Sequence, residues 1–377
     1  MHLRERISRR IGELASAGLL RQVQAPRGID LCSNDYLGLA QHPAVKRRMA
    51  DAVMSEGCGS TGSRLLRGER AAFSAIEKRF ARFKGTEAAL YFSSGYMANV
   101  AVLATFLEPG DIVFSDELNH ASLIDGIRLG RARKCVFPHA DGSALRRQLG
   151  DPCPGQRFIA TESLFSMDGD IAPLDGYACL AESAGAALIV DEAHAVGVFG
   201  ERGSGCIEAR NIGAAVLLSI NPMGKAFGCA GAFVCGPAWA IEYLAQRGRP
   251  FVFSTAPPPS IAAALDAALD LIEQGAELRE RVLSLARGLR ALLAERGFGV
   301  DPDGSQIIPV VIGGNSEAVR VAASLQNAGF DVRAIRPPTV PEGTARLRIS
   351  VNAGLSESVL RRFADALYKA ARSVAAA

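Results

Sequence analysis

Between about residue 70 and residue 245, short apolar runs take turns with longer stretches whose apolar positions recur at helical spacing. The runs fall at 88–92, 111–114, 134–137, 157–161, 187–190, 215–218 and 231–234. They are continuous rather than alternating, as in strands covered on both faces. Strands that take turns with helices predict a mostly parallel sheet with helices packed on either side. Upstream, the pattern predicts a helix over 3–25 ending at Pro26, a short strand at 29–32, and a helix from His42-Pro43 to about Glu56. Downstream of Pro257-Pro258-Pro259 it predicts one long helix over 260–297. A different alternation follows: strand 307–312, helix 316–328, strands 331–335 and 346–350, and a last helix from Ser356 towards Ala375. The chain thus divides into an N-terminal segment (1–42), a large α/β domain (43–275) and a smaller C-terminal α+β domain (276–377). A length of 377 residues suits two packed cores.

Composition narrows the function classes. The 42 basic and 39 acidic residues leave a net charge of +3, too balanced a field to predict binding to nucleic acid or to a membrane surface. No apolar run reaches the length of a transmembrane helix, and no apolar stretch follows the basic residues of the first ten positions, so neither a span nor a secretory leader is expected. The eight cysteines are scattered without a Cys-x-x-Cys pair, as reduced thiols of a cytoplasmic protein would be. The five histidines include no pair at ligand spacing, so no metal site is expected.

The chemistry concentrates in two segments. Asp191-Glu192-Ala193-His194 follows the run at 187–190, which sets Asp191 where a buried parallel strand ends. Gly224-Lys225-Ala226-Phe227-Gly228 boxes a lysine between small residues, so its backbone can come close to a flat ligand. An amine able to form a Schiff base and a strand-end carboxylate are the minimal kit for pyridoxal 5'-phosphate chemistry. Two other textual matches fail. A phosphate-binding loop needs glycine where Ser219 stands and a hydroxyl where Ala226 stands. Gly57-x-Gly59-x-x-Gly62 fits a dinucleotide fingerprint, but a helical stretch precedes it where that motif needs a strand. Further polar clusters follow the predicted strands: Ser93 to Tyr96 before a helix start, Asp116 to His120, and Glu162 to Gly169. Loops at the carboxyl ends of parallel strands converge on a ligand in open α/β sheets.

Ser33-Asn34-Asp35-Tyr36-Leu37-Gly38-Leu39, residues 60–68, Ser94-Gly95-Tyr96, Asn119-His120-Ala121-Ser122, residues 163–169, Asp191 to His194 and Gly224-Lys225-Ala226 occur in one order along the chain. In these segments the chain resembles the α-oxoamine synthase family of fold-type I pyridoxal phosphate enzymes over nearly its whole length. The run Ile335-Arg336-Pro337-Pro338-Thr339-Val340-Pro341, continuing to Arg348, resembles most the branch that condenses L-alanine with a pimeloyl thioester, of coenzyme A or an acyl carrier protein, in biotin biosynthesis. The alternatives are a sister enzyme using glycine or serine with a different acyl-coenzyme A, and a non-catalytic descendant that keeps only the fold. The resemblance implies that Lys225 holds the cofactor covalently, Asp191 pairs with its pyridine nitrogen, His194 bonds its phenolic oxygen and His120 stacks on its ring. It implies that Ser166 lies near the ring oxygen, that Gly95 and Tyr96 line the pocket, and that Thr255 reaches the phosphate across a homodimer interface. Arg348 is expected to grip the amino-acid carboxylate, with Arg21, Arg336 and Thr339 placing substrate. One position departs from the pattern. The family usually has a hydroxyl residue three positions before the lysine, against the phosphate; here Pro222 offers neither a hydroxyl nor a backbone N–H. Asn221 and Ser219 are then the candidates to replace it.

Overall fold

The computed structural model describes residues 2–375. They form two units. The larger comprises Asn34–Ser166 and Asp170–Glu280; the smaller comprises the residues up to Ser33, Met167–Gly169 and those from Arg281 onward.

The larger unit is built on a seven-stranded sheet: β1 (Ala88–Phe92), β2 (Ile112–Asp116), β3 (Arg133–Phe137), β4 (Arg157–Glu162), β5 (Ala186–Asp191), β6 (Val216–Pro222) and β7 (Ala232–Gly236), in the order β1-β7-β6-β5-β4-β2-β3. All pairs are parallel except those made by β7, which runs antiparallel to β1 and β6. Side chains alternate faces along a strand, so register decides which residues meet. Ala160 of β4 pairs with Ile189 of β5, which pairs with Leu218 of β6; these three lie on one face, in a core shared with Val102 and Leu103 of the Gly95–Phe106 helix. Ile159, Leu188 and Val190 belong to the core on the other face. On that second face Phe233 stacks on Phe80 with ring centroids 4.1 Å apart.

The smaller unit carries a three-stranded antiparallel sheet of β8 (Ile307–Gly313), β9 (Ala334–Ile335) and β10 (Ala345–Ser350), in the order β9-β10-β8. Leu347 and Ile349 of β10 pack with Leu325 of the Asn315–Asn327 helix and with Phe363 and Leu367 of the Glu357–Ala375 helix. Ile29–Asp30 adds a two-residue parallel ladder to Phe330–Asp331.

Three elements differ from the sequence pattern. The first helix spans Leu3–Ser16 rather than 3–25: Gly18, at φ 66°, turns the chain, and the Leu19 N–H caps the Leu14 carbonyl. The stretch 260–297 is two helices, Pro259–Gln274 and Ala276–Glu295, broken at Gly275, where a side chain would run into the Leu271 carbonyl oxygen. The predicted strand 331–335 is split between two partners, Phe330–Asp331 pairing with Ile29–Asp30 and Ala334–Ile335 with β10. Asp331 accepts the Arg27 N–H at 3.0 Å and pairs with Arg333 at 2.9 Å at the point of the switch.

Phe233 is fully buried, and Phe233→Ala should cost about 3–5 kcal/mol of stability. A fall in the urea midpoint measures it; a loss below about 1 kcal/mol would contradict this packing.

Candidate active site

The strand register that builds the core also lays out the polar groups beyond it. Two residues past the Ala160–Ile189 pair, Glu162 of β4 stands in register with Asp191 of β5, and Asp191 with Ile220 of β6. Each carboxyl residue is only 3% exposed. Buried carboxylates need donors, and Asp191 has two: the Ala193 N–H donates to Oδ1 at 2.8 Å and the Asn99 side-chain amide to Oδ2 at 2.6 Å. Asn99 comes from the Gly95–Phe106 helix, one turn after its start, and also donates to Ser122 Oγ at 2.9 Å.

His194 lies in the turn after β5. Its Nε2 is 2.8 Å from Lys225 Nζ and its Nδ1 is 2.6 Å from the Tyr36 hydroxyl, which in turn donates to Asn34 Oδ1 at 3.1 Å. Both ring nitrogens are thereby engaged, and the half-buried lysine has its ammonium aimed at the imidazole. Lys225 itself sits in the β6–β7 turn, closed by Met223 N–H to Gly231 O and Gly228 N–H to Lys225 O, each at 2.8 Å.

His120 caps the Ala121–Leu129 helix. Its Nδ1 accepts the Ser122 N–H at 3.2 Å and lies 2.7 Å from the Ser122 hydroxyl, while its own backbone N–H donates to Glu162 Oε1 at 2.6 Å. Although the residue keeps an exposed face, partial desolvation lowers the imidazole pKa; Lys225 adds to the effect and Asp191 opposes it. A neutral ring with one edge tied down and a flat side open is suited to stacking. Tyr96 meets it edge-on, with centroids 6.4 Å apart, and its hydroxyl bonds Asp125.

Gly95 is the first residue of its helix, and Ser94 caps that helix by accepting the Met97 N–H at 3.2 Å. A side chain at Gly95 would meet Pro222 Cγ at 2.6 Å, so the proline ring lies directly against the helix start. Pro222 pairs with Ala232, one residue from the Met223–Gly231 hydrogen bond, at a position where the β6–β7 ladder requires no N–H from it. Alternation along β6 sets Ser219 and Asn221 on the opposite face from Pro222. There the Asn221 amide bonds Ser219 Oγ at 3.0 Å among Phe233 and Cys235. They are therefore not the replacements for a hydroxyl at position 222.

Ser166 lies on the loop after β4. That loop is folded back by the Phe165 N–H to Asp170 O bond (3.0 Å) and held by His139. His139 Nδ1 is 3.0 Å from Asp116 Oδ1 and Nε2 is 2.8 Å from Asp170 Oδ2, while the ring meets Phe165 edge-on at 4.4 Å. One imidazole thus links the loop leading to His120 with the loop carrying Ser166. Burial alone would lower its pKa, but the bonds to Asp116 and Asp170 carry it up to about 10. Thr255 is exposed on the segment where the Ala256 N–H donates to Gly62 O (2.8 Å) and Ser60 Oγ donates to Pro257 O (2.5 Å). In the smaller unit, Arg21 donates to Thr339 Oγ1 at 3.1 Å, Arg336 bonds the Gly18 carbonyl, and buried Arg348 on β10 donates to Ser350 Oγ at 2.8 Å.

The structure therefore brings Lys225, His194, Asp191 and His120 into hydrogen-bonded arrays with Tyr36, Asn99, Ser122 and Glu162; of these four, only Asn99 lies outside the segments singled out in the sequence. The donor set suits pyridoxal phosphate: an amine for its aldehyde carbon, a buried carboxylate for its pyridine nitrogen, an open imidazole face for its ring, and the first N–H groups of the Gly95–Phe106 helix for its phosphate. Among the described residues, no cluster of three or more His, Cys, Asp and Glu could hold a metal ion, and no helix is long and apolar enough to cross a membrane.

The chain belongs to the aminotransferase class I and II family, whose model matches residues 26–367, and it is a pyridoxal phosphate-dependent enzyme of fold type I. A serine palmitoyltransferase solved with pyridoxal phosphate overlays on the whole of it at a TM-score of 0.92 and 29% identity, the match covering 100% of each chain. Sequence narrows the branch. An 8-amino-7-oxononanoate synthase from Geobacter sulfurreducens is 46% identical over 340 residues, 89% of this chain and 87% of that protein. The solved 8-amino-7-oxononanoate synthase of Francisella tularensis matches at a TM-score of 0.81 and 31% identity, covering 92% of this chain and 98% of that one.

The His139 bridge yields a test. A group whose folded pKa is raised from about 6.5 to about 10 contributes fully below pH 6.5, and the contribution is lost as pH rises through 10. His139→Gln should cost about 1–3 kcal/mol near neutrality. The gap in melting temperature between wild type and variant should close between pH 6.5 and 10; a constant gap would contradict a charged bridge.

Proposed function

We propose that this chain acts as an 8-amino-7-oxononanoate synthase, joining L-alanine to a pimeloyl thioester with loss of carbon dioxide, in biotin biosynthesis. The observation that carries the reading is the buried Asp191, held by Asn99 and the Ala193 N–H at the same sheet end from which Lys225 projects. It stands beside curated relatives at 42–46% identity that bear this name. Bound pyridoxal phosphate supplies an aldehyde carbon for an amine and a ring that accepts the electron pair released at an amino acid's Cα.

The residues of the chain do the rest. Lys225 would hold the cofactor and, as a free amine, would take the Cα proton of alanine onto Nζ. His194 receives a hydrogen bond from Lys225 at Nε2 and passes the polarisation on to Tyr36, which keeps the amine pointed at the reacting centre. Asp191 keeps the pyridine nitrogen protonated, and Asn99 and Ala193 stop that carboxylate from turning away. Neutral His120 would cover the ring, and His194 and Ser166 would lie by the phenolic oxygen. The Gly95 and Tyr96 N–H groups would take the phosphate with Thr255 of a second copy, in which case the working form would be a homodimer. Arg348 takes the amino-acid carboxylate, with Arg21, Arg336 and Thr339 for substrate. Coenzyme A or an acyl carrier protein bears the acyl group.

The second reading, a sister synthase using glycine or serine, draws on the close overlay with serine palmitoyltransferase. The fold is common to both branches, so the higher sequence identity decides between them. Thiol release from pimeloyl-coenzyme A, with pyridoxal phosphate and each amino acid in turn, tests the choice. Release that depends on alanine is expected; release with glycine or serine alone would select the sister reaction. Lys225→Ala should lower turnover by about 10³-fold or more, and appreciable residual turnover would remove the lysine from the mechanism.

A further inference from the structure

Among the buried ionisable groups that the roles proposed above leave unused, Glu162 is the one in register with Asp191. Glu162 ends β4 on the face that carries Asp191, and neighbouring strands lie about 4.8 Å apart, so the two carboxyl groups rise side by side from the floor of the site. Neither reaches solvent to any extent, at 3% exposure each. Two like charges this close, out of water, cannot both form cheaply, and such a pair holds one proton between its members. The surroundings decide which member keeps it. Asp191 receives N–H donors on both oxygens, from Ala193 and Asn99. Glu162 receives a single N–H, from the His120 backbone on Oε1; a carboxylate accepts it more strongly, but an acid carbonyl keeps the bond.

We infer that Glu162 is a positioning residue that stands as a neutral carboxylic acid, limiting the floor of the site to the single negative charge of Asp191 while fixing the backbone at His120. The charged groups around it act in both directions. Burial, then the charge of Asp191, push Glu162 up to about 8, and Asp116 adds to this; Lys225 and the His120 N–H oppose it. A second negative charge here would be shared with any cation Asp191 holds and would weaken the direction of that pairing. The neutral acid avoids this and keeps an acceptor for His120, whose ring is carried by the same backbone.

The inference rests on the cofactor reading for one of its two tests only. In cofactor-free protein, infrared difference spectra between wild type and Glu162→Gln should show a protonated carboxyl band at pH 7 that fades as pH rises above 8. Absence of that band at pH 7 would overturn the proposal whatever the enzyme's function. The second test is pyridoxal phosphate affinity. Glu162→Ala should weaken it about tenfold or more, and Glu162→Gln, which keeps the shape and the acceptor of a neutral acid, should rescue most of the loss. Equal damage in both variants would mean that the carboxylate is the working form. Failure of the wild type to bind pyridoxal phosphate would count against the proposed function and leave the infrared result standing.

Discussion

Everything in the larger unit's site follows from the need to keep one charge at the end of a buried strand. Asp191 is shut off from water by the same layer of side chains that stabilises the sheet, so its charge has to be met by protein dipoles. One donor is local, from the turn at Ala193. The other is an amide from a helix that begins more than ninety residues earlier, and Asn99 can reach Asp191 only because that helix packs on the face of the sheet shared by Ile189 and Leu218. The apolar core and the electrostatics of the site are therefore one arrangement: repacking Val102 or Leu103 would move an amide on which the strand-end carboxylate depends.

A second layer of control works through backbone rather than side chain. His120, Ser166 and Lys225 all sit on turns, the part of a fold with the fewest internal restraints. Each turn is tied: His120 by Ser122 and Glu162, the Ser166 loop by His139 and the Phe165–Asp170 bond, the lysine turn by its bonds across Met223–Gly231. Preorganisation of this kind lets a reacting group arrive already oriented, with little ordering left for the moment of reaction.

Much of this was legible in the chain. The seven apolar runs of the larger unit all became strands; β2, β4 and β5, buried and parallel to their neighbours, leave the continuous apolar signature most plainly. Asp191 and Lys225 stand out because strand ends and small-residue turns are where such groups can act. The residues without a readable signal are those whose meaning depends on register. Glu162 reads as one more polar strand-end residue until β4 and β5 are aligned, and Asn99 as a helix interior residue until its helix is docked. The misplaced helix limits have local causes: Gly18 and Gly275 ended helices that apolar spacing alone would have continued. Ser219 and Asn221 looked like replacements for a missing hydroxyl because they are near in sequence, but a strand turns adjacent residues to opposite sides.

The contact between Gly95 and Pro222 has an evolutionary meaning as well as a steric one. The two positions stand on different elements, yet the proline ring fills the space that any side chain at 95 would need. Position 95 cannot drift alone. A lineage that began to enlarge residue 95 would lose the fit before it gained anything, unless position 222 had already shrunk or changed shape. Restoring a hydroxyl at 222, conversely, is open only while 95 stays bare. The order of substitutions is thus constrained: the departure at 222 is reversible as a single step, and the glycine beside it is the half of the pair that cannot move first.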